Sequence, residues 1–186
     1  MTNIDALSEH FAVERRPIKA LSATGQLGYG ILEPSLRAGL ERRPDFIGAD
    51  MGSTDPGPNY LGSGQMATSM ATTERDLRLL LRGANEIGAP LIIGSAGTGG
   101  AKPHLEATLD VVRRIAAEDG LHFRMATITA DIDKATVKDA DAAGRLRPLG
   151  SNIQAGPEDI DASSHIVAQM GTDAICRALE TGAEVV

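Results

Sequence analysis

The sequence predicts an α/β fold in which a parallel β-sheet carries helices on both faces, a Rossmann-like arrangement. Short apolar runs typical of buried strands alternate along the chain with segments whose apolar residues recur every three or four positions, as on one face of a helix. Several runs end in glycine-rich turns, and 21 of the 186 residues are glycine. A chain of this length is expected to form a single domain with its own core.

Five apolar runs are predicted as strands, at residues 18–23, 46–50, 91–93, 123–129 and 183–186. The last one resembles the opening of a strand that is cut short after a few residues. We therefore expect residues 1–186 to be one α/β domain that forms the N-terminal part of a longer protein.

Helices are predicted between these runs. The clearest begins near Thr73 and Asp76, carries an apolar stripe from Leu77 to Ile87, and ends at Gly88. Further helices are predicted near residues 32–43, 103–119, 134–143 and 157–181, the last with an interruption at Gly171. Residues 51–72 lack apolar periodicity and are predicted to be a long ordered loop.

Composition and charge exclude several classes of protein. The formal net charge is −7 and no basic run exceeds an arginine pair, so the chain lacks the positive surface that nucleic-acid binding requires. The first 17 residues lack the apolar stretch of a secretion signal, and no membrane span is present in the sequence. Cys176 has no second cysteine to pair with and is interpreted as structural. We expect a soluble cytoplasmic protein.

The glycine-rich loop at residues 94–100 is the first candidate site. It lies between a predicted strand and a predicted helix, where backbone N–H groups can bind an anion at the positive end of the helix. The candidate ligand-binding residues are Gly94, Ser95, Gly97, Thr98, Gly99 and Gly100. The loop matches neither the P-loop nor the dinucleotide pattern, so a tight turn without a ligand is the alternative.

A second candidate site follows the strand that ends at Asp50. Gly52, Ser53 and Thr54 are candidate ligand-binding residues, and Asp50 and Asp55 are candidate acid-base residues. Carboxylates at this position can hold a proton, a hydroxyl group or a hard cation. Turn formation by the polar side chains is the alternative, which is weaker for Asp50 because it ends an apolar strand.

Residues 131–134 and His104 complete the candidate residues. Asp131 is a ligand-binding candidate, whereas Asp133 is favoured as the N-cap of the next helix. Lys134 and His104 are catalytic candidates, His104 because it stands at a helix start beside the 94–100 loop. A solvated or capping histidine is an equal alternative.

Several stretches share a recognisable pattern. They are Leu-Gly-Tyr-Gly at 27–30, Asp-Met-Gly-Ser-Thr-Asp-Pro-Gly-Pro at 50–58 and Tyr-Leu-Gly-Ser-Gly at 60–64, with further stretches at 92–97, 101–104, 130–134, 144–150 and 169–171. On these residues the chain resembles the AtuA-type acyclic terpene utilisation family over nearly its whole length. The resemblance implies a place in the breakdown of acyclic terpenes such as citronellol and geraniol, and a longer full-length protein. It supplies no established catalytic residues.

Three hypotheses of function follow. The first is an enzyme of acyclic terpene or branched-chain acid catabolism, a lyase or hydratase acting on an acyl-CoA or carboxylate. In this hypothesis the 94–100 loop binds the anionic group of the substrate and Asp50 or Asp55 is the base. His104 or Lys134 stabilises the negative charge that develops. The second is a non-catalytic acyl-CoA-binding or anion-binding subunit that requires a partner chain. The third is a metal-dependent phosphate enzyme using Asp50, Asp131 and Asp133.

No cofactor is assigned, and a homo-oligomer or a complex with a partner subunit is expected. All three hypotheses require that Asp50, Ser95 and Asp131 lie at one rim of the sheet.

Overall fold

A computed structural model of the chain describes residues 16–52, 57–150 and 155–186. In this part of the chain the strands and helices, in order, are β1 (Ala20–Ser22), α1 (Glu33–Leu40), β2 (Phe46–Asp50), α2 (Asn59–Ser63), α3 (Met70–Ile87), β3 (Leu91–Gly94), α4 (Lys102–Asp119), α5 (Lys134–Ala142), α6 (Pro157–Ala162) and α7 (Thr172–Glu180).

The three strands form a parallel sheet in the order β1-β2-β3. Leu21 lies beside Ile47, Ile47 lies beside Leu91, and Asp50 lies beside Gly94. A helix connects each pair of neighbouring parallel strands, so the predicted α/β class and the parallel sheet are confirmed. The carboxyl ends of β2 and β3 therefore meet at the same edge.

The sheet continues beyond β3 through the last residues of the chain. Val185 forms parallel bridges with Leu91 on one side and with Met125 on the other. The run at 183–186 thus joins the sheet as predicted. The predicted strand at 123–129 is wrong in extent, because Met125 alone forms a bridge there and Asp131 pairs in antiparallel fashion with Val167.

One face of the sheet is covered by a layer of helices. Helix α3 contacts β2 and β3 and packs against α1 and α4. Its buried Leu77, Leu80 and Leu81 meet Ile47 and Leu91 of the sheet in one core cluster. Burial of such side chains is the main favourable contribution to folding, about 2–3 kcal/mol for each leucine.

The residues of β1 and β2 that point away from α3 are half-buried or exposed. Side chains alternate between the two faces of a strand, and in β2 Ile47 and Ala49 are buried whereas Asp50 is exposed. Ala20 and Ser22 of β1 are exposed as well. The side chain of Asp50 therefore lies on the face opposite α3, in contact with solvent.

The ends of the two longest helices follow from their capping residues. Helix α3 begins three residues earlier than predicted, because the Ser69 hydroxyl accepts the N–H of Thr72 and acts as the N-cap. It ends at Gly88 and α4 ends at Gly120, both in the left-handed conformation that glycine adopts without strain. The predicted helix at 157–181 is two helices, α6 and α7, with residues 163–171 between them.

Candidate functional site

Asp50 lies at the carboxyl end of β2 with its side chain exposed to solvent. Its carbonyl oxygen accepts the Leu27 N–H at 2.7 Å, and the next residue, Met51, donates its N–H to the carbonyl of Gly94 at 2.9 Å. A Cβ on Gly94 would lie 3.7 Å from the Asp50 Oδ1. The Asp50 carboxylate is therefore held beside the first residue of the 94–100 loop, and hydrogen bonds of Asp50 and Met51 fix the backbone there.

The 94–100 loop has an unusual backbone. Ser95 and Thr98 have φ values of +51° and +80°, and Gly97 and Gly100 have φ values of +60° and +66°. A positive φ is uncommon for a residue other than glycine, and most of all for a β-branched one. Each such residue costs about 1–3 kcal/mol and persists where its surroundings enforce it, which is characteristic of functional loops.

Contacts with two other segments, at Ala67 and at Met51–Gly52, enforce this conformation. The Thr98 hydroxyl accepts the Ala67 N–H at 3.2 Å. The buried sulfur of Met51 receives the Gly97 N–H at 3.4 Å. Gly52, with φ +93°, lies beside Thr98, and a Cβ there would come within 2.5 Å of the Gln26 Nε2. The turn after β2 is thus packed against the 94–100 loop.

His104 supports the loop from below. It lies in the first turn of α4 and is fully buried. Its Nε2 lies 2.9 Å from the Tyr60 carbonyl oxygen, which can only accept, so the Nε2 carries the proton. Its Nδ1 is buried and has no partner in the described part of the chain.

The two glycines of the loop that lie over His104 leave space for its ring. A Cβ on Gly97 or on Gly99 would come within 2.7 Å of atoms of the His104 side chain. The loop therefore needs glycine at both positions, and the position of His104 decides where the loop lies.

Some backbone N–H groups of the 94–100 loop form hydrogen bonds within the chain and others do not. Thr98 donates to the Ser95 carbonyl, and Gly100 donates to the Ala96 carbonyl. The N–H groups of Ala96 and Gly99 form no hydrogen bond with any described residue. Successive backbone N–H groups in such turns can bind an anion, so the Ala96 and Gly99 donors are suited to an oxygen of a ligand.

Asp131 lies at the far end of the same loop. Its Oδ1 accepts the N–H of Lys102, the first residue of α4, at 3.2 Å. The positive end of α4 is therefore occupied by a carboxylate of the chain itself. Asp50 thus lies beside Gly94 at the start of the loop, and Asp131 is bonded to Lys102, two residues after its end.

The two residues after Ile132 point away from this rim. The Asp133 carboxylate accepts the N–H groups of Ala135 and Thr136 at 3.1 and 3.3 Å, which confirms it as the N-cap of α5. The Lys134 Nζ donates to the Asp161 carbonyl at the end of α6, at 2.8 Å. Lys134 therefore holds α5 to α6.

Three predicted site residues, Ser53, Thr54 and Asp55, lie outside the described residues. Within the described ranges, no group of three or more His, Cys, Asp or Glu side chains is arranged to hold a metal ion. The metal site of the third hypothesis, formed by Asp50, Asp131 and Asp133, is therefore not present in this part of the chain. The Asp133 carboxylate instead caps α5.

Asp76 supports the turn next to the candidate site, a contribution that the sequence interpretation missed. It lies in α3, fully buried, and its carboxylate accepts the N–H groups of Gly28, Gly30 and Ile31 at 2.9, 3.0 and 3.2 Å. The neighbouring Arg75 donates to it at 3.0 Å. The position of Asp76 next to the buried apolar stripe of α3 could have indicated this role, because a carboxylate is buried only when it has hydrogen-bond partners.

Asp76 acts on the rim through the turn that follows β1. That turn bonds to the end of β2 twice, through the Leu27 N–H to the Asp50 carbonyl and through the Gln26 Nε2 to the Met51 carbonyl at 3.2 Å. Asp76 therefore fixes the turn on which the backbone of Asp50 rests.

A cavity of about 570 Å³ opens behind the 94–100 loop. Side chains of α4, α7 and the sheet make most of its wall apolar, among them Ile93, Leu105, Leu109, Val112, Ile175 and Val185. Ser95, Thr98 and Gly99 stand at its end near the rim. The rim thus combines polar backbone groups with an apolar interior.

Among the described residues, no helix is both long and apolar enough to span a bilayer.

Comparison with protein-family models gave a match to "Acyclic terpene utilisation family protein AtuA" over residues 70–186, more than half of the chain. The match includes the 94–100 loop and Asp131, whereas Asp50 and the motifs at 27–64 precede it. Comparisons with curated proteins and with solved structures gave no match. The resemblance inferred from the motifs is confirmed, and the chain belongs to the AtuA family of acyclic terpene utilisation proteins.

Proposed function

We propose that the rim formed by Asp50 and the 94–100 loop is the active site of a lyase or hydratase in acyclic terpene or branched-chain acid catabolism. The substrate is an acyl-CoA or a carboxylate. The observation that carries the proposal is the position of an exposed carboxylate beside a strained loop whose Ala96 and Gly99 N–H groups form no hydrogen bond with a described residue. Bases and preorganised donors of this kind suit chemistry next to a carbonyl group.

In the proposed reaction, Asp50 accepts a proton from the carbon next to the substrate carbonyl. The electron pair of the broken C–H bond forms the carbon–carbon double bond of an enolate, and the negative charge moves onto the carbonyl oxygen. The N–H groups of Ala96 and Gly99 stabilise that oxygen. The enolate then expels a hydroxyl group from the next carbon, which takes the proton from Asp50 and leaves as water. Hydration is the reverse sequence.

Other candidate residues take supporting roles in this proposal. His104 positions the loop from below, since its ring is fully buried under Gly97 and Gly99. Asp131 holds the start of α4. Because a carboxylate already occupies that helix end, we assign binding of the substrate oxygen to the loop and not to the helix.

Exchange of substrate protons with solvent tests the first step alone. The protein is incubated in D₂O with isovaleryl-CoA, a branched-chain acyl-CoA, and deuterium at the carbon next to the carbonyl is measured by mass spectrometry. We expect exchange by the unaltered protein and a loss of about 100-fold or more in Asp50→Asn, the usual effect of removing a general base.

Asp110→Asn is the matched control. Asp110 is an exposed acid on α4 whose partner is the exposed Arg113, so the change removes one carboxylate far from the loop. Equal exchange in Asp50→Asn and Asp110→Asn would refute the role of Asp50.

A second candidate function is a non-catalytic subunit that binds acyl-CoA and is completed by a partner chain. The observation that favours it is the engagement of other polar groups: Lys134 binds the end of α6, and Asp131 binds the start of α4. Calorimetric binding of isovaleryl-CoA without deuterium exchange would support this function over the first.

A further inference from the structure

Gln26 lies in the turn after β1, next to the carboxyl end of β2. Its backbone is held in place, because its N–H donates to the Thr24 hydroxyl at 3.4 Å and its carbonyl accepts that hydroxyl at 3.0 Å and the Tyr29 N–H at 3.4 Å. The following residue, Leu27, donates its N–H to the Asp50 carbonyl at 2.7 Å. The point from which the Gln26 side chain starts is therefore tied to the strand that carries Asp50.

The Gln26 side chain crosses the end of β2. Its Nε2 donates to the Met51 carbonyl oxygen at 3.2 Å. A Cβ on Gly52 would come within 2.5 Å of the Gln26 Nε2 and 3.5 Å of the Thr98 Cγ2. The carboxamide from the turn after β1 and the methyl group from the 94–100 loop thus approach the same point. The Gln26 carboxamide therefore lies at the rim, beside the loop.

The orientation of the carboxamide follows from its hydrogen bond. A carbonyl oxygen can only accept, so the Gln26 nitrogen faces Met51 and the Oε1 is directed elsewhere. The second N–H of the Nε2 and the Oε1 form no hydrogen bond with a described residue. Gln26 therefore offers one donor and one acceptor side by side, which is the complement of a single hydroxyl group.

The strand order places three kinds of group in a row along the rim. Because the strands are ordered β1-β2-β3, the turn after β1, the end of β2 and the 94–100 loop follow one another. Gln26 comes from the first of these, Asp50 from the second, and the Ala96 and Gly99 N–H groups from the third. A 3-hydroxyacyl group has the same order of groups, with a hydroxyl on its third carbon, an acidic C–H on its second and a carbonyl at its first.

We propose that Gln26 binds the hydroxyl group that leaves as water, so that the substrate is a 3-hydroxyacyl thioester or a 3-hydroxy carboxylate. This inference rests on the proposed function and deepens it. The second N–H of Gln26 donates to the hydroxyl oxygen, and the Oε1 accepts the hydroxyl proton. When the carbon–oxygen bond breaks, the oxygen keeps the electron pair and takes the proton that Asp50 removed from the neighbouring carbon. The Gln26 N–H stabilises the charge that develops on this oxygen.

Two reactions of the same protein separate this role from a structural one. The first is deuterium exchange into isovaleryl-CoA, which has no hydroxyl group and requires proton removal alone. The second is dehydration of 3-hydroxyisovaleryl-CoA, followed by the absorbance of the unsaturated thioester that forms. Gln26→Met keeps the length of the side chain and removes its donor and acceptor. We expect dehydration to slow by about 100-fold and exchange by less than about fivefold, because only dehydration uses a donor to the leaving oxygen.

Asn85→Leu is the matched control. It removes an exposed carboxamide from α3 near the helix end that precedes β3, so neither rate should change by more than about twofold.

The outcomes distinguish this inference from the proposed function. Equal losses of exchange and dehydration in Gln26→Met would show that Gln26 only holds the end of β2, and would overturn the inference. Unchanged dehydration in that variant would overturn it as well. An unaltered protein that exchanges isovaleryl-CoA without dehydrating the hydroxy compound would also overturn it, while leaving the role of Asp50 intact. An unaltered protein that does neither would refute the proposed function, and the inference with it.

Discussion

The Asp76→Ala substitution tests how the turn after β1 is held in place. In the folded chain the Asp76 carboxylate accepts three backbone N–H groups and one bond from Arg75. The substitution removes both acceptor oxygens and with them all four hydrogen bonds, and it leaves the N–H groups of Gly28 and Ile31 facing a cavity in the protein interior.

The magnitude follows from these bonds. A hydrogen bond to a charged group contributes about 1.5–3 kcal/mol, and a buried donor left without a partner costs about 1–3 kcal/mol. The three N–H bonds share one carboxylate and the turn can relax, so their sum overstates the loss. We expect the free energy of unfolding to fall by about 3–5 kcal/mol.

Equilibrium unfolding in urea, followed by circular dichroism, measures this loss as a lower midpoint with an unchanged slope. Asp110→Ala is the control, since it removes an exposed acid and should change the free energy of unfolding by less than about 0.5 kcal/mol. A loss below about 1 kcal/mol in Asp76→Ala would refute the assignment of Asp76 as the anchor of the turn.

Two further changes test the loop and the first strand. Gly97→Ala places a Cβ 2.7 Å from the His104 Cβ at a positive φ and should lower the free energy of unfolding in urea by about 2–4 kcal/mol. In the control Gly62→Ala the added Cβ meets nothing within 4 Å, so the free energy of unfolding should hardly change. Equal effects of the two substitutions would contradict the close packing of Gly97 against His104. The side-chain hydrogen bonds from Arg16, followed by the backbone bond from Lys19, lower the pKa of Asp45 from 3.8 to about 2. Since protonation weakens these bonds, the stability that Asp45 contributes is complete above pH 4 and is lost as the pH falls towards about 2. The melting temperature of Asp45→Asn should therefore decline less steeply over that interval than the melting temperature of the unaltered chain. Identical declines would contradict this role of Asp45.

Local patterns predicted the elements that carry the rim. An apolar run ending in an acid located β2 and Asp50, and a run ending in glycines located β3 and the 94–100 loop. These features depend on neighbouring residues along the chain. The fold class also follows from local alternation of strand and helix signals.

Contacts between distant segments were beyond the reach of such patterns. Asp76 binds a turn more than 40 residues earlier in the chain, and nothing in the spacing of Asp76 and Gly28 indicates that they meet. The closeness of Lys134 and Asp131 in sequence suggests a shared site, but the Lys134 ammonium group binds the Asp161 carbonyl at the end of α6. The run at 123–129 has the composition of a strand, but only Met125 forms a bridge.

The carboxylate of Asp76 has a consequence for nucleotide chemistry in this fold. In dinucleotide-binding α/β proteins, amide groups of the turn after the first strand receive a pyrophosphate. Here the Gly28, Gly30 and Ile31 amides of the turn after β1 already face an internal negative charge. A pyrophosphate in that turn would have to displace a buried carboxylate of like sign, so nicotinamide and flavin dinucleotides are disfavoured at this end of β1.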